Sequence, residues 1–308
     1  MSRKFINVGG QAVIEGIAMK GPYKTCLAVR KKDGTIFKEI TETQNRPFAK
    51  IPILRGAAAL VKSLINGYKY IDKSAEISGF YDEEDDAATD NKSERTEEKK
   101  SSEKNSSDGW ITVVASVLAV AIAILLFTVL PTWIVALLSK LFHITKGRTL
   151  LEGLFKILIF VGYLFLVTRM KSVHRVFEYH GAEHKTINCI EAGEELTVDN
   201  VLKNSRFHPR CGTSYMFLIV FISVLFYSLV PWTSVFSRTV LKILLIPVIA
   251  GASYEVLQYS GKHDNGLTRI LSAPGLAIQR LTTFEPSADQ AELAIEAIKE
   301  VLPEEDQH

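Results

Sequence analysis

The sequence contains few cysteines, which excludes one class of protein at once. Only three occur among 308 residues, Cys26, Cys189 and Cys211, and they lie far apart. Small secreted proteins stabilised by disulfides usually carry an even number of closely spaced cysteines. The first ten residues also lack an apolar stretch followed by a small-residue cleavage site. We therefore expect no signal peptide and a cytosolic N-terminal segment.

Residues 82–108 lack every aromatic and large aliphatic side chain. They contain eleven Asp or Glu and five Lys or Arg, a net charge of −6, whereas the whole chain carries +2 and the remainder therefore +8. Such a segment cannot bury enough apolar surface to offset the entropy lost on ordering. The composition predicts a disordered acidic tether at residues 79–109.

Another stretch lacks charge and is long enough to cross a bilayer. Residues 111–130 contain no Asp, Glu, Lys or Arg, and twenty helical residues extend about 30 Å. A purely soluble globular protein is therefore excluded. Four transmembrane helices are predicted, at residues 110–130, 151–168, 215–230 and 240–254. We expect the charged side chains in these segments, Glu152, Lys156 and Lys242, to reach toward the membrane interface.

Basic residues in the connecting segments predict the orientation in the membrane. The connection at residues 169–214 contains seven Lys or Arg, whereas the connection between the first two spans contains three. Because cytoplasmic loops carry the excess of Lys and Arg, residues 169–214 and both termini are expected in the cytoplasm. The protein is thus predicted to be a multi-pass membrane protein in contact with lipid.

The two ends of the chain predict cytosolic structure. Residues 1–50 combine glycine-rich turns with short β-prone runs, and an amphipathic helix follows from Arg55. Near the C-terminus, Ser287 and Gln290 have capping-box spacing ahead of an amphipathic helix.

The predicted fold class is therefore an α+β membrane protein with four regions. They are a cytosolic β-rich domain at 1–78, the tether at 79–109, a membrane helical domain at 110–260 with a cytoplasmic loop at 169–214, and a C-terminal segment at 261–308 packing on the N-terminal unit.

The clearest chemical signal is an H-x-x-E-H string formed by His180, Glu183 and His184. On a helix, residues four apart share a face, so the two histidines can converge on one cation. Zinc lowers the pKa of bound water, and a nearby carboxylate can take the proton as the hydroxide attacks a carbonyl. The string predicts His180 and His184 as Zn²⁺ ligands and Glu183 as the general base.

A catalytic zinc needs a third protein ligand, and two alternatives are open. Glu255 lies at the end of the fourth apolar segment, where an ionised carboxylate needs a partner, either the metal or an Arg or Lys at the membrane interface. His208 and Cys211, three residues apart, would instead complete a closed structural site. The same cluster could also form a membrane-entry turn in which Arg210 meets a phosphate or carboxylate.

Other polar residues give weaker signals. Glu178 and His174, four residues apart, could form a pair that orients the metal ligands, or they could form a solvated helix face. Gly9 and Gly10 belong to no complete nucleotide-binding motif. Membrane topology explains the basic residues, so we expect no nucleic-acid partner.

Five strings together resemble the YqhQ family, a bacterial group of membrane proteins of unknown function often described as predicted metal-dependent enzymes. In order along the chain they are GGQAVIEG from Gly9, EYHGAEH from Glu178, HPRCGTS from His208, SYE from Ser253 and PGLAIQRLTT from Pro274. The resemblance covers nearly the whole chain except the acidic tether. It implies a bacterial cell-membrane protein with a metal at His180 and His184.

Two functions remain open at this stage. The first is a zinc-dependent, peptidase-like hydrolase acting at the cytoplasmic membrane face through the H-x-x-E-H site. The second is a non-catalytic membrane protein that docks to, assists or regulates a partner membrane protein, its polar cluster being structural.

Overall fold

The chain divides into two compact units. The computed structural model describes residues 6, 8–42, 51–81, 108–232, 234–263 and 265–303. The first unit comprises Met1–Glu83, Tyr163–Ile219 and Pro247–His308, and the second comprises Glu84–Gly162 and Val220–Ile246. Most of the predicted tether, residues 82–107, lies outside the described residues.

The N-terminal region forms an antiparallel sheet whose strands follow chain order. The strands are β1 (Gly9–Val13), β2 (Gly16–Lys20), β3 (Lys24–Arg30) and β4 (Ile36–Glu42). The turn between β3 and β4 places Gly34 at φ 84°, a conformation that glycine adopts without steric penalty. The predicted β-rich N-terminal unit is confirmed.

The remaining regular secondary structure of the described residues is helical. The helices are α1 (Leu54–Ser78), α2 (Asp108–Ile124), α3 (Leu130–Leu141), α4 (Arg148–Val167), α5 (Lys171–Glu191), α6 (Val198–Lys203), α7 (Gly212–Ser228), α8 (Val235–Lys262), α9 (Gly266–Thr282) and α10 (Ala288–Lys299), with a π-helical segment, Leu125–Val129, joining α2 to α3.

Helices cover both faces of the sheet. Because successive strand residues point to opposite faces, Ile17 and Met19 pack against α5 and α10, whereas Ala18 between them packs toward α1. Helix α10 begins as its sequence predicts, with the Ser287 N–H donating to Gln290 Oε1 at 2.9 Å.

Three helical stretches are long and apolar enough to cross a membrane: Val117–Leu141, Arg148–Val167 and Val235–Ser260. The third predicted span corresponds to α7, which is apolar but shorter, so three of the four predicted spans meet both criteria among the described residues. The first predicted span also ends too early, because the helix continues past Pro131. A π-helical turn directly before this proline widens the backbone, which helps it tolerate the missing N–H.

The charged residues of the second unit do not reach outward as expected. The exposed fractions of Glu152, Lys156 and Lys242 are only 5%, 9% and 0%. Glu152 instead pairs with Lys242 and Arg238, so mutual compensation replaces contact with the interface.

Candidate metal centre

Helix α5 carries the two histidines of the predicted site. His180 and His184 lie one turn apart on one face, with ring centroids separated by 4.4 Å. Between them, Gly181 allows the chain at Phe284 to approach the helix, because a Cβ at this position would overlap the Phe284 carbonyl oxygen. The Phe284 N–H donates to the Phe177 carbonyl at 2.9 Å. The glycine thus fixes the segment after α9 beside the histidines.

Cys211 completes a group of three possible metal ligands. His180 Nε2 lies 3.1 Å from Cys211 Sγ, and one donor atom from each of His180, His184 and Cys211 lies within 4.8 Å of the others. The Thr213 backbone N–H donates to Sγ at 3.4 Å, which positions the sulfur at the start of α7.

Backbone carbonyls orient both imidazole rings. His180 Nδ1 lies 2.7 Å from the Thr282 carbonyl oxygen, and His184 Nδ1 lies 2.6 Å from that of Arg206. A carbonyl only accepts, so each Nδ1 must be the protonated nitrogen. In a neutral imidazole held in this way Nε2 keeps its lone pair, the arrangement that metal-binding histidines commonly show.

The charge state of His184 also suits a ligand. Its exposed fraction is 1%, and burial lowers its pKa, an effect that Cys211 opposes. A neutral imidazole is the form that binds metals. Two imidazoles and one thiolate are a nitrogen and sulfur donor set that fits zinc well.

Glu183 lies beside this group and is not part of it. Glu183 is about 60° around the helix from His180 and about 100° from His184, and its side chain meets β1 at Gly10. A Cβ at Gly10 would lie only 2.9 Å from the Glu183 carboxyl carbon. The Gly10 backbone N–H donates a hydrogen bond to the Glu183 carboxylate. Burial raises the pKa of Glu183, and the nearby His180 and His208 oppose this effect. Oε2 of Glu183 is buried without a hydrogen-bond partner among the described residues.

Glu255 pairs with an arginine, the alternative to metal ligation given above. Its carboxylate receives two hydrogen bonds from Arg55 at the start of α1, one of them at 2.6 Å from Nε. Within the part of the chain that the structure describes, it does not join the histidine group. The Arg55 guanidinium therefore compensates the charge of the Glu255 carboxylate in this apolar helix.

His208 packs beside His184, one of the three possible metal ligands. Its ring centroid lies 5.7 Å from that of His184, while its Nε2 faces Glu191 Oε2 at 3.5 Å. Gln279 bonds both backbone groups of His208, accepting from its N–H at 2.9 Å and donating to its carbonyl at 2.7 Å. Arg210 pairs with the same Glu191, a protein carboxylate.

His174 and Glu178 support the segment after α9. They form an i,i+4 pair at 3.2 Å, and the His174 ring stacks on Phe284 with centroids 4.1 Å apart. Glu178 also accepts a hydrogen bond from Gln290 at 3.0 Å. The pair therefore contacts the chain that presents the Thr282 carbonyl.

Sequence reasoning missed the groups that orient the ligands. The carbonyls of Thr282 and Arg206 carry no side-chain signal, since every residue has one. Gln279 lies 71 residues from the backbone that it bonds. Only the HPRCGTS string indicated that Cys211 lies near the histidines.

Comparison with known proteins identifies the family. Residues 51–304 match the family model described as "Protein of unknown function (DUF1385)". The chain is 37% identical over 299 residues to "Uncharacterized protein YqhQ" of Bacillus subtilis (strain 168), an alignment covering 96% of this chain and 92% of that protein. No solved structure matches the chain. The chain therefore belongs to the DUF1385 family, which includes YqhQ.

Proposed function

We propose that this protein is a membrane-bound, zinc-dependent hydrolase. His180, His184 and Cys211 hold the metal, and Glu183 acts as the general base in peptide-like hydrolysis at the cytoplasmic membrane face. The basic connection at residues 169–214 supports a cytoplasmic location for this connection in a bacterial cell. In this proposal α7 crosses the membrane as the fourth span, because only an even number of spans places both termini in the cytoplasm.

One observation carries the metal site. Two histidines donate through Nδ1 to backbone carbonyls, so both Nε2 atoms are available near one cysteine sulfur. Three protein ligands leave a fourth position for water or substrate, the pattern of catalytic zinc sites. When bound, zinc lowers the pKa of water and polarises a carbonyl.

Glu183 supports the catalytic assignment. It is a buried carboxylate that directly precedes His184 in the sequence, and the nearby ligand His180 counteracts the rise of its pKa. Gly10 engages the carboxylate, whereas Oε2 is left without a partner among the described residues. An oxygen in this state can accept a proton, provided that a water reaches it.

A second candidate is a closed structural zinc in a protein that docks to a partner membrane protein. It is favoured by burial, because the exposed fractions of His184, Cys211 and Glu183 are 1%, 7% and 5%. In this role the metal would join α5 to the chain at Cys211 and stabilise the cytosolic fold.

The test is metal analysis of the full-length protein purified in detergent. Wild type is expected to hold one zinc per chain, His184→Ala and Cys211→Ser to lose it, and Glu183→Gln to keep it. His143→Asn is the matched control, because His143 is exposed and has φ 53°, which asparagine tolerates. A wild-type protein that holds no zinc contradicts both candidates.

Activity separates the two candidates once zinc is found. A catalytic site predicts that Glu183→Gln abolishes cleavage of a peptide library by zinc-loaded protein. A structural site predicts no cleavage above the Glu183→Gln background, together with a lower thermal unfolding temperature for Cys211→Ser.

A further inference from the structure

The second unit buries more positive than negative charge. The exposed fractions of Glu152, Lys156, Arg238 and Lys242 are all 9% or less, and only Glu152 is acidic. Arg238 and Lys242 share this single carboxylate. Lys156 has neutral partners instead, donating to Ser223 Oγ at 2.8 Å and lying 5.0 Å from the centroid of the Tyr227 ring. The cluster therefore contains three basic side chains and one carboxylate.

A basic cavity of about 240 Å³ lies next to this cluster. Its lining contains two cations and no acidic residue: Ala136, Ser139, Lys140, Arg148, Trp232, Ser234 and Val235. The Trp232 ring joins the cavity to the buried cluster, because the guanidinium carbons of Arg238 and Arg148 lie 4.1 Å and 5.6 Å from its centroid.

The cavity lining also includes the first residues of two helices. Helix α4 begins at Arg148, and α8 begins at Val235 after Ser234, whose Oγ accepts from the Ser237 N–H at 3.1 Å. The N-terminal end of a helix carries a partial positive charge, which favours anions. Arg148 donates through Nε to the Ile144 carbonyl at 2.6 Å. The structure shows no other hydrogen bond from its guanidinium to a described residue.

Membrane topology does not account for this charge. Residues 109–162 and 220–246 contain six Lys or Arg and one Glu. The positive-inside rule concentrates basic residues in the cytoplasmic connection, which here is 169–214, and predicts few in the short connections at the other end of the spans. Lys140 and Arg148 have no carboxylate beside them in the described cavity lining, so an anion from outside the chain could compensate their charge.

We propose that the cavity lined by Lys140, Arg148 and Trp232 binds a phosphate group. The planar guanidinium can bond two phosphate oxygens at once, and the lysine adds a point charge. Leu137 and Phe236 directly follow the lining residues Ala136 and Val235 in sequence and are 60% and 81% exposed. These apolar side chains favour a phospholipid headgroup as the source, because they can contact acyl chains. This site is independent of the metal centre.

The test uses the full-length protein in detergent, with thermal unfolding and native mass spectrometry as readouts. Three probes are compared: phosphatidylglycerol, zwitterionic phosphatidylcholine and inorganic phosphate. For wild type we expect retained phosphatidylglycerol and a higher unfolding temperature. Arg148→Gln and Lys140→Gln should each weaken binding about tenfold, since each removes a charge-assisted contact. Two variants keep the test decisive if one fails to fold.

Lys146→Gln is the matched control, because Lys146 is exposed in the same connection and does not line the cavity. It should bind as wild type does. Stabilisation by inorganic phosphate that Arg148→Gln removes supports the site with free phosphate as its source. The proposal is overturned if no probe stabilises the wild type, or if both cavity variants bind phosphatidylglycerol as Lys146→Gln does.

Discussion

At the scale of single residues, the three cysteines have different surroundings. Cys26 lies in β3 within the core between sheet and helices, and Cys189 lies on α5 against α6 and α10. Burial raises the pKa of each of these two thiols to about 11. Cys211 instead lies beside His180 at the candidate metal centre. The three cysteine thiols thus differ in their surroundings and in their expected reactivity, although the residue type is the same.

These raised pKa values predict slow reaction of Cys26 and Cys189 with alkylating reagents. A thiol with a pKa of about 11 is protonated at pH 8, and only the thiolate reacts. Because the unfolded chain deprotonates first, near the ordinary value of 9.0, their contribution to the free energy of unfolding is complete below pH 9 and decreases as the pH rises toward 11.

The measurement is iodoacetamide labelling at pH 8 followed by mass spectrometry. Denatured protein, in which all cysteines are accessible, is the control. Equal labelling rates of Cys26 and Cys189 in native and denatured protein would contradict the prediction.

At the scale of elements, α5 depends on close contacts along its whole length. Arg175 pairs with Glu15 of the β1–β2 turn, Glu183 meets β1 at Gly10, and Gly181 contacts the segment after α9. The H-x-x-E-H spacing correctly indicates which residues share a helix face. It does not indicate what each face meets, because the partners come from distant parts of the chain.

Gly181→Ala should therefore destabilise the first unit. The added methyl group overlaps a backbone oxygen, which cannot rotate away as a side chain can. We expect a decrease of about 1–3 kcal/mol in the free energy of unfolding, with lower zinc affinity because Thr282, which orients His180, lies two residues from Phe284. Denaturant unfolding and metal analysis measure both effects.

Gly162→Ala in α4 is the control, since no atom lies within 4 Å of an added Cβ there. Helix propensity predicts a neutral or slightly stabilising effect for it, up to about 1 kcal/mol. Equal stability of the two variants would show that the contact at Gly181 is unimportant.

At the scale of the whole molecule, the first unit is assembled from three separated parts of the chain. The sheet comes from the N-terminus, α5 from the middle and α10 from the C-terminus. Their side chains form one core, which includes Ile17, Tyr179 and Leu293. The candidate ligands therefore depend on residues more than 100 positions away.

A chain that ends after Glu285 should lose both its fold and its zinc. It lacks α10, so the apolar face of the sheet and Tyr179 are exposed to water. We expect rapid proteolysis of the first unit and loss of bound metal. A chain that ends after Pro303 keeps α10 and serves as the control. Zinc retained by the shorter chain would show that α10 is not needed for the site.

Much of this architecture could be predicted locally. Turn residues, the apolar run Cys26–Val29 of β3, the capping box at Ser287 and the uncharged stretch at 111–130 each depend on neighbours within a few positions. The boundaries of the spans could not be predicted in this way. In the sequence, Arg238 and Lys242 indicate a membrane edge, whereas in the structure both pair with Glu152 inside the second unit.

The sequence by itself determined the family, the β-rich start of the chain, its apolar helices and the helical face shared by His180 and His184. Only the tertiary structure decided that Cys211 joins them, that Glu255 pairs with Arg55, and that a basic cavity adjoins the buried charges of the second unit. The physical reason is range: helix and strand periodicity act between near neighbours, whereas ligand groups and charge compensation depend on residues that folding alone brings together.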